Sequence, residues 1–436
     1  MRNTLIGMRI ADSLGLPAAD RSALYYALLL KDVGCSSNAA KIAYLFGGDD
    51  QSVKKAGKVV DWSHAGQKMR YVWQQCAPGG SVLDKLLRLG ALAKSGPRGE
   101  REIVQVRCER GAEITRSLHF PEATAQAILG LDELWNGKGL PLGLKGKEIP
   151  LLGRICSLAQ TVEIYFTTRG LSAALEMARE RRGKWFDPQL VDIVQALGWE
   201  SSFWASLHGP NLRAELARCE PADSVALADE ACLDRVSQAF ADVVDAKSPW
   251  TFKHSTRVAE IAGRMADEFG CSLEVKRDIR RAGLLHDVGK LGVSNLILDK
   301  PSKLTDEEWT RLRLHPDFSQ QILAQIPAFG TLADVASAHH ERLDGRGYHR
   351  RLDGTSVHWV SRLLAVADIY EALSAERPYR AAMSWDKIQG ILTRDIGAGV
   401  DADCFAALER CQDRFAFESR TEAQFQEVDN LLEAVG

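Results

Sequence analysis

Seven of the ten histidines of this 436-residue chain fall in its second half: His254, His286, His315, His339, His340, His349 and His358. His286 and Asp287 are adjacent at the end of an apolar stretch. His339 and His340 are adjacent just before a glycine-rich turn, and Asp368 ends the apolar run LLAVAD. Adjacent ligands need no long-range coincidence of sequence to meet one cation. Imidazole and carboxylate without cysteine suit a hard to intermediate divalent metal such as iron or manganese better than a structural zinc. A carboxylate that bridges two ions would make such a centre dinuclear.

The segments that must position these side chains are duplicated. At a constant offset of 255, RIADSLGLPAADRSALYYALLLKDVG (Arg9 to Gly34) matches RMADEFGCSLEVKRDIRRAGLLHDVG (Arg264 to Gly289) at ten of twenty-six positions. At an offset of 208, the block Asn136 to Tyr165 matches the block Asp344 to Leu373, with glycines 137, 139 and 146 on glycines 345, 347 and 354 and Arg154 on Arg362. The offsets differ by 47, so the first copy carries extra chain, expected as additional helix around GGDDQSVKKAGKVVDWSHAG. Duplication is the economical reading. Both copies place apolar residues at three- and four-residue spacing, with Gly, Pro or Asp at the breaks. The expected fold is therefore all-α, two tandem helical domains. Residues 1–200 form the first copy, 201–224 a linker marked by Gly209, Pro210 and Pro221, and 225–436 the second copy.

Apolar residues make up 45% and charged residues 26% of the chain, with a net charge of -3. That balance gives no electrostatic pull toward nucleic acid or a membrane surface, so any anionic ligand must be met by local positive charge. No apolar run approaches the roughly 18 residues of a membrane span, and the N-terminus lacks the pattern of a signal peptide. A cytoplasmic protein is expected. Nine cysteines are scattered without a C-x-x-C pair, which indicates neither a zinc ribbon nor a disulfide framework.

HSTRVA (His254 to Ala259), LLHDVGKLG (Leu284 to Gly292), ILDKPSKLTDEEW (Ile297 to Trp309), RLRLH (Arg311 to His315), HHERLDGRGY (His339 to Tyr348) and VADIYEALSAERPYR (Val366 to Arg380) resemble, in order and spacing, the HD-GYP subgroup of HD phosphohydrolases. The resemblance covers essentially all of the second copy. It implies two tandem HD-type domains and a metal-dependent phosphodiesterase acting on a cyclic dinucleotide, with cyclic di-GMP favoured as substrate. It implies two divalent ions held by His254, His286, Asp287, His315, His339, His340 and Asp368, with Asp287 bridging. By the same resemblance Lys290 is an active-site lysine, and Arg377 and Arg380 contact the phosphates of the dinucleotide. Phosphodiester hydrolysis needs an activated water and relief of charge on the phosphoryl oxygens, which two ions roughly 3.5 to 4 Å apart supply. Lys290 and the two arginines suit the charge that metals do not reach. Three-metal members of the family carry a glutamate one helical turn before the histidine matching His254. Here that position is Trp250, which has no lone pair to offer a cation. Asp245 and Asp242 lie too far away on a continuous helix and cannot stand in unless the chain folds back at Pro249, so a dinuclear centre is expected.

Two further readings attach to the resemblance. The GYP of the family reads Gly347, Tyr348, His349 here, so proline's restraint on the loop is lost. The loop Gly345–His349 is a candidate contact for a protein partner, with His349 read as a surface group in preference to an extra polar group at the mouth of the site. In the first copy, Lys31 stands for His286, Leu131 and Asp132 for His339 and His340, Gln160 for Asp368, and Arg107 or Cys108 for His315. An ammonium cannot ligate a metal and leucine has no donor, so that copy is expected to hold no metal and to serve regulation or homodimerisation. The position matching His254 would fall two residues before Met1, so either translation starts inside the first helix or the chain was cut there. The competing readings are an HD phosphohydrolase acting on another nucleotide and a non-hydrolytic nucleotide sensor or scaffold.

Overall fold

The helix His254–Glu268 shows why these segments are helical: Ser255, Val258, Ala259, Ile261, Ala262, Met265 and Ala266 are all buried and recur at three- and four-residue spacing. Each fully buried Val, Ile or Met contributes about 1.5–3 kcal/mol relative to exposure. Gly270, at φ 65°, ends the helix in a conformation a side chain disfavours. Ser272 then caps the partner helix Leu273–Leu285 by accepting from the Val275 N–H.

The structure, a computed structural model, describes residues 1–60, 64–221, 229–376 and 381–415. Every regular element among the described residues is a helix. The chain divides into two units, Met1–Ala228 and Asp229–Gly436.

In the second unit the core is made by His254–Glu268, Leu273–Leu285, Gly330–Ser337, Trp359–Ser374 and Ala402–Cys411. In the first, Arg2–Leu14, Ala18–Leu30, Glu122–Leu129, Leu151–Arg169 and Pro188–Leu197 enclose the equivalent core. The copies share polar fixings as well as apolar ones. Arg154 donates from Nε to the Ile149 carbonyl and from Nη1 to Asp187 at 2.6 Å. Arg362 donates to the Val357 carbonyl and to Asp401 at 3.2 Å in the same way. Glu133 accepts backbone N–H groups from Leu142, Gly143 and Leu144, and Glu341 accepts them from Arg350 and Leu352. Each carboxylate ties a glycine-rich loop to the element before it.

The extra chain of the first copy forms the helices Ala39–Phe46, Asp50–Gly57 and Ala65–Gln75, followed by Val82–Ser117, which breaks at Gly96 (φ 53°, ψ -158°). It has its own small core around Phe46, Val53 and Tyr71.

The expected linker at 201–224 is corrected. Ser201–Ser206 and Leu212–Arg218 are helices of the first unit. Trp204 and Leu207 are buried in its core, and the Trp204 indole N–H donates to the Leu197 carbonyl at 2.8 Å. Gly209 and Pro210 turn the chain between two packed helices and do not mark an exposed tether. Residues 222–224 lie outside the described residues.

Candidate metal centre

Local geometry places each side chain. Helix Leu273–Leu285 hands directly to His286 and Asp287, after which a 3-10 turn, Val288–Gly292, bends the chain away. A Cβ on Gly289 would lie 1.9 Å from the His315 carbonyl oxygen and 2.6 Å from the Ser319 nitrogen. Only glycine lets the segment carrying His315 approach Asp287 so closely. His315 begins the helix His315–Leu323, His339 and His340 follow Gly330–Ser337, and Asp368 projects from Trp359–Ser374.

His254, His286, Asp287, His315 and His339 are all at most 2% exposed. Their inner atoms, four Nε2 nitrogens and Asp287 Oδ1, make no hydrogen bond of acceptable geometry. Buried polar atoms are seldom left so, and five at one place require an account. Asp287 stands between two groups. Its Oδ2 lies 3.2 Å from His254 Nε2 and 3.3 Å from His286 Nε2. Its Oδ1 lies 3.3 Å from His315 Nε2 and 3.9 Å from His339 Nε2. Asp368 Oδ1 lies 3.3 Å from His254 Nε2 and 4.0 Å from His286 Nε2. Three sets of donors have atoms within 4.8 Å of one another: His254, His286 and Asp287; His286, His339 and Asp368; His315, His339 and His340. Lys290 Nζ sits 2.5 Å from Asp287 Oδ2.

The other ring nitrogens are fixed from behind. Nδ1 of His286, His315 and His339 each face a backbone carbonyl, those of Gly283, Leu312 and Ala336, at 2.7 to 2.8 Å. Such contacts select the tautomer whose Nε2 lone pair points inward. Burial drives His339 and His340 toward the neutral form, and neighbouring imidazoles add to it, taking His340 down to about 3. Burial alone would protonate Asp287, but Lys290 and His286 hold it well below the usual carboxylate range. Neutral His339 and His340 beside ionised Asp287, among further imidazoles whose inward nitrogens are unpartnered, and no sulfur, are a donor set that fits divalent cations.

Two further carboxylates surround His254. Glu371 Oε2 lies 2.5 Å from His254 Nδ1, and Arg257 Nη1 lies 3.4 Å from Glu371 Oε1. Burial works against a charged His254, yet Glu371, Asp287 and Asp368 together hold its pKa well above the ordinary value. Glu371 is three residues after Asp368, on the same helix face, and that spacing was the available signal. Replacing Glu371 with Gln keeps the shape and removes the charge. Metal affinity is expected to fall about 10- to 100-fold, as checked by titration against a competing chelator; unchanged affinity would show that Glu371 does not tune His254.

The chain does fold back at Pro249, so the continuous-helix distance does not apply to the second of them, Asp245. The helix Glu230–Asp245 stops there and a 3-10 turn at Pro249–Thr251 brings the chain back. The buried Asp245 carboxylate accepts from the Ser255 N–H at 3.1 to 3.2 Å and from its hydroxyl at 2.7 Å. It therefore reaches the start of the helix that carries His254. Its two oxygens serve as a cap there.

His349 also differs from expectation. Its side chain is only 6% exposed, and Nε2 lies 3.0 Å from Gln320 Oε1. Its φ is 95°, a value that proline's ring, fixed near -65°, cannot adopt. Tyr348 stacks on His340 with ring centroids 4.7 Å apart, and the Arg313 guanidinium lies over Tyr348 at 5.5 Å. Arg377 and Arg380 lie outside the described residues.

The first unit has the same frame with other occupants. A Cβ on Gly34 would lie 2.1 Å from the Arg107 carbonyl oxygen, so Arg107 stands where His315 stands in the other copy. Arg107 is ion-paired with Asp132, and Lys31 with Asp32. Leu131 is buried. Among the described residues, no set of three His, Cys, Asp or Glu donors converges in this unit.

An HD domain family model matches residues 84–190 and 238–402. The chain belongs to the HD domain family and, within it, to the metal-dependent phosphodiesterases of the HD-GYP type that act on cyclic dinucleotides. It is 41% identical to 3'3'-cGAMP-specific phosphodiesterase 3 of Vibrio cholerae serotype O1 over 405 residues, 93% of this chain and 88% of that protein. A cyclic di-GMP phosphodiesterase response regulator of Xanthomonas campestris pv. campestris is 35% identical over 156 residues, 35% of this chain and 41% of that one. The crystal structure of a cyclic GMP-AMP-specific phosphodiesterase from V. cholerae has a TM-score of 0.61 at 36% identity and covers 95% of this chain and 92% of its own. No described helix is long and apolar enough to cross a membrane.

Proposed function

We propose that the second unit hydrolyses 3'3'-cGAMP in preference to cyclic di-GMP, at a dinuclear iron or manganese centre held by His254, His286, Asp287, His315, His339, His340 and Asp368. What carries the choice of substrate is the extent of likeness. The relative named for 3'3'-cGAMP matches through both copies, at 93% of the chain, whereas the cyclic di-GMP relative matches about a third. The family resemblance in the sequence by itself favours cyclic di-GMP.

When bound, the two ions supply an activated water and draw charge from the phosphoryl oxygens. The chain's own groups do the rest. Asp287 presents one oxygen to each histidine pair, which is the geometry of a shared ligand. The carbonyls behind His286, His315 and His339 keep their inner lone pairs available. Lys290, beside Asp287, faces the charge that develops as the P–O bond breaks. Arg377 and Arg380 hold the phosphates of the dinucleotide. Asp245, committed to Ser255, is a cap and not a ligand to a third ion, and Trp250 closes the side where that ion would sit. The first copy binds no metal, its cations Lys31 and Arg107 taking the places of ligands. The loop Gly345–His349 meets a protein partner. Nine cysteines free of disulfides are in keeping with action in the reducing cytoplasm.

The test is to incubate the purified chain with manganese or iron(II) and each dinucleotide, and to resolve products by chromatography. Turnover of 3'3'-cGAMP is expected to exceed that of cyclic di-GMP by about tenfold or more in kcat/KM. The opposite preference would overturn the assignment.

A further inference from the structure

The extra chain of the first copy carries an apolar face that nothing described covers. Met69, Trp73, Val82, Leu83, Leu86 and Leu87 are between 43% and 66% exposed. Leu83, Leu86, Leu87 and Gly90 follow helical spacing along the half of Val82–Ser117 that precedes the break at Gly96. The Lys85 ammonium lies 5.6 Å from the Trp73 ring centroid, which brings the helix Ala65–Gln75 to the edge of this stripe. Arg88 turns inward to the Tyr44 carbonyl. That guanidinium is thus directed away from the apolar face, and the Lys85 ammonium is held at its edge over Trp73.

We propose that this face pairs with the same face of a second copy of the chain. The area is sufficient: six side chains expose roughly 600–700 Å² per copy, more than the largest patch of a typical monomer, and a symmetric pair would bury on the order of 1,300 Å², within the range of specific interfaces. The face is also self-complementary. A two-fold axis between positions 88 and 89, with the helices antiparallel, sets Leu87 of each copy over Gly90 of the other. A Cβ on Gly90 would meet nothing within 4 Å, so no packing within the chain accounts for glycine there, whereas an inserted leucine does. The same axis brings Asp84 within reach of Lys94 of the second copy. Lys94 is exposed, and Asp84 uses Oδ2 for its own capping box with Ser81. A C2 interface needs one patch that matches itself, and apolar stripe, gap, acid and base are all present on this one. The face lies in the first unit, which carries none of the residues that converge at the candidate metal centre, so pairing can be lost without removing a ligand.

Sedimentation of the full chain from about 1 to 50 µM is expected to give twice the chain mass. L83E/L87E is expected to weaken pairing by on the order of 100-fold or more, with helical content and metal content unchanged. A wild-type chain that stays monomeric at the upper concentration overturns the proposal, as does a variant that still pairs. Should L83E/L87E fail to fold, G90L/K94E, at two exposed positions, decides between the same outcomes: weaker pairing that is more sensitive to salt supports it, and undiminished pairing overturns it.

Discussion

Replacing His286 and Asp287 together with alanine is expected to lower turnover by on the order of 10⁴-fold or more and to remove most bound metal. His286 is fully buried, with Nε2 aimed at the centre and Nδ1 held by the Gly283 carbonyl. Asp287 is the one carboxylate whose two oxygens face different histidine pairs, His254 and His286 on one side, His315 and His339 on the other. Its loss removes the group shared by both halves of the site and leaves Lys290 without its carboxylate. Elemental analysis and product chromatography check the two effects separately. Full activity in the double variant would remove these residues from the site. Wild-type rate constants with reduced metal content would show that Asp287 serves affinity alone.

Gly289→Ala should also be damaging, for a steric reason. The new Cβ would meet backbone atoms of His315 and Ser319 at 1.9 and 2.6 Å, and backbone cannot swing aside as a flexible side chain can. The helix that carries His315 must move by more than 1 Å to restore ordinary contact. The expected cost is about 3 kcal/mol or more of stability, with at least a 100-fold loss of activity in the fraction that folds. Gly34→Ala imposes the same collision on the first copy, where the Arg107 carbonyl lies 2.1 Å away. It should destabilise that unit to a similar degree while leaving metal content unchanged. Thermal unfolding and metal analysis of the pair distinguish the cases. Equal activity in G289A and wild type would mean that the close approach is not needed for the centre.

The repeat, the helical class and the convergence of His254, His286, Asp287, His315, His339, His340 and Asp368 were legible because adjacency and helical spacing are local properties of a sequence. The place of Asp245 turns on whether the helix continues, which spacing alone does not decide: the turn at Pro249–Thr251 reverses the chain, and a ten-residue separation becomes a hydrogen bond to Ser255. Glu371 escaped notice although it lies one turn beyond Asp368, since a second carboxylate on that face has no ligand-like neighbour in sequence. Its partner, His254, is 117 residues away. The linker was misplaced because Gly209 and Pro210 signal a turn whether the flanking residues pack or not, and burial of Trp204 and Leu207 is decided by the tertiary structure.

The ion pairs inside the first copy bear on its history. Arg107 occupies the place of a ligand and is balanced by Asp132, itself at a ligand position, while Lys31 is balanced by Asp32. Restoring a histidine at position 31 alone would leave Arg107 in the cavity, Leu131 without a donor and Gln160 without a charge. Restoring position 107 alone would take from Asp132 its guanidinium partner and leave Lys31 and Leu131 at ligand positions. Each single step back toward catalysis breaks a settled pair and returns no activity, so selection has nothing to reward until several changes coincide. On the proposed reading of this half as metal-free, its loss of chemistry is in that sense a one-way door, and descendants of this chain would gain two active copies more readily by duplicating the second than by repairing the first.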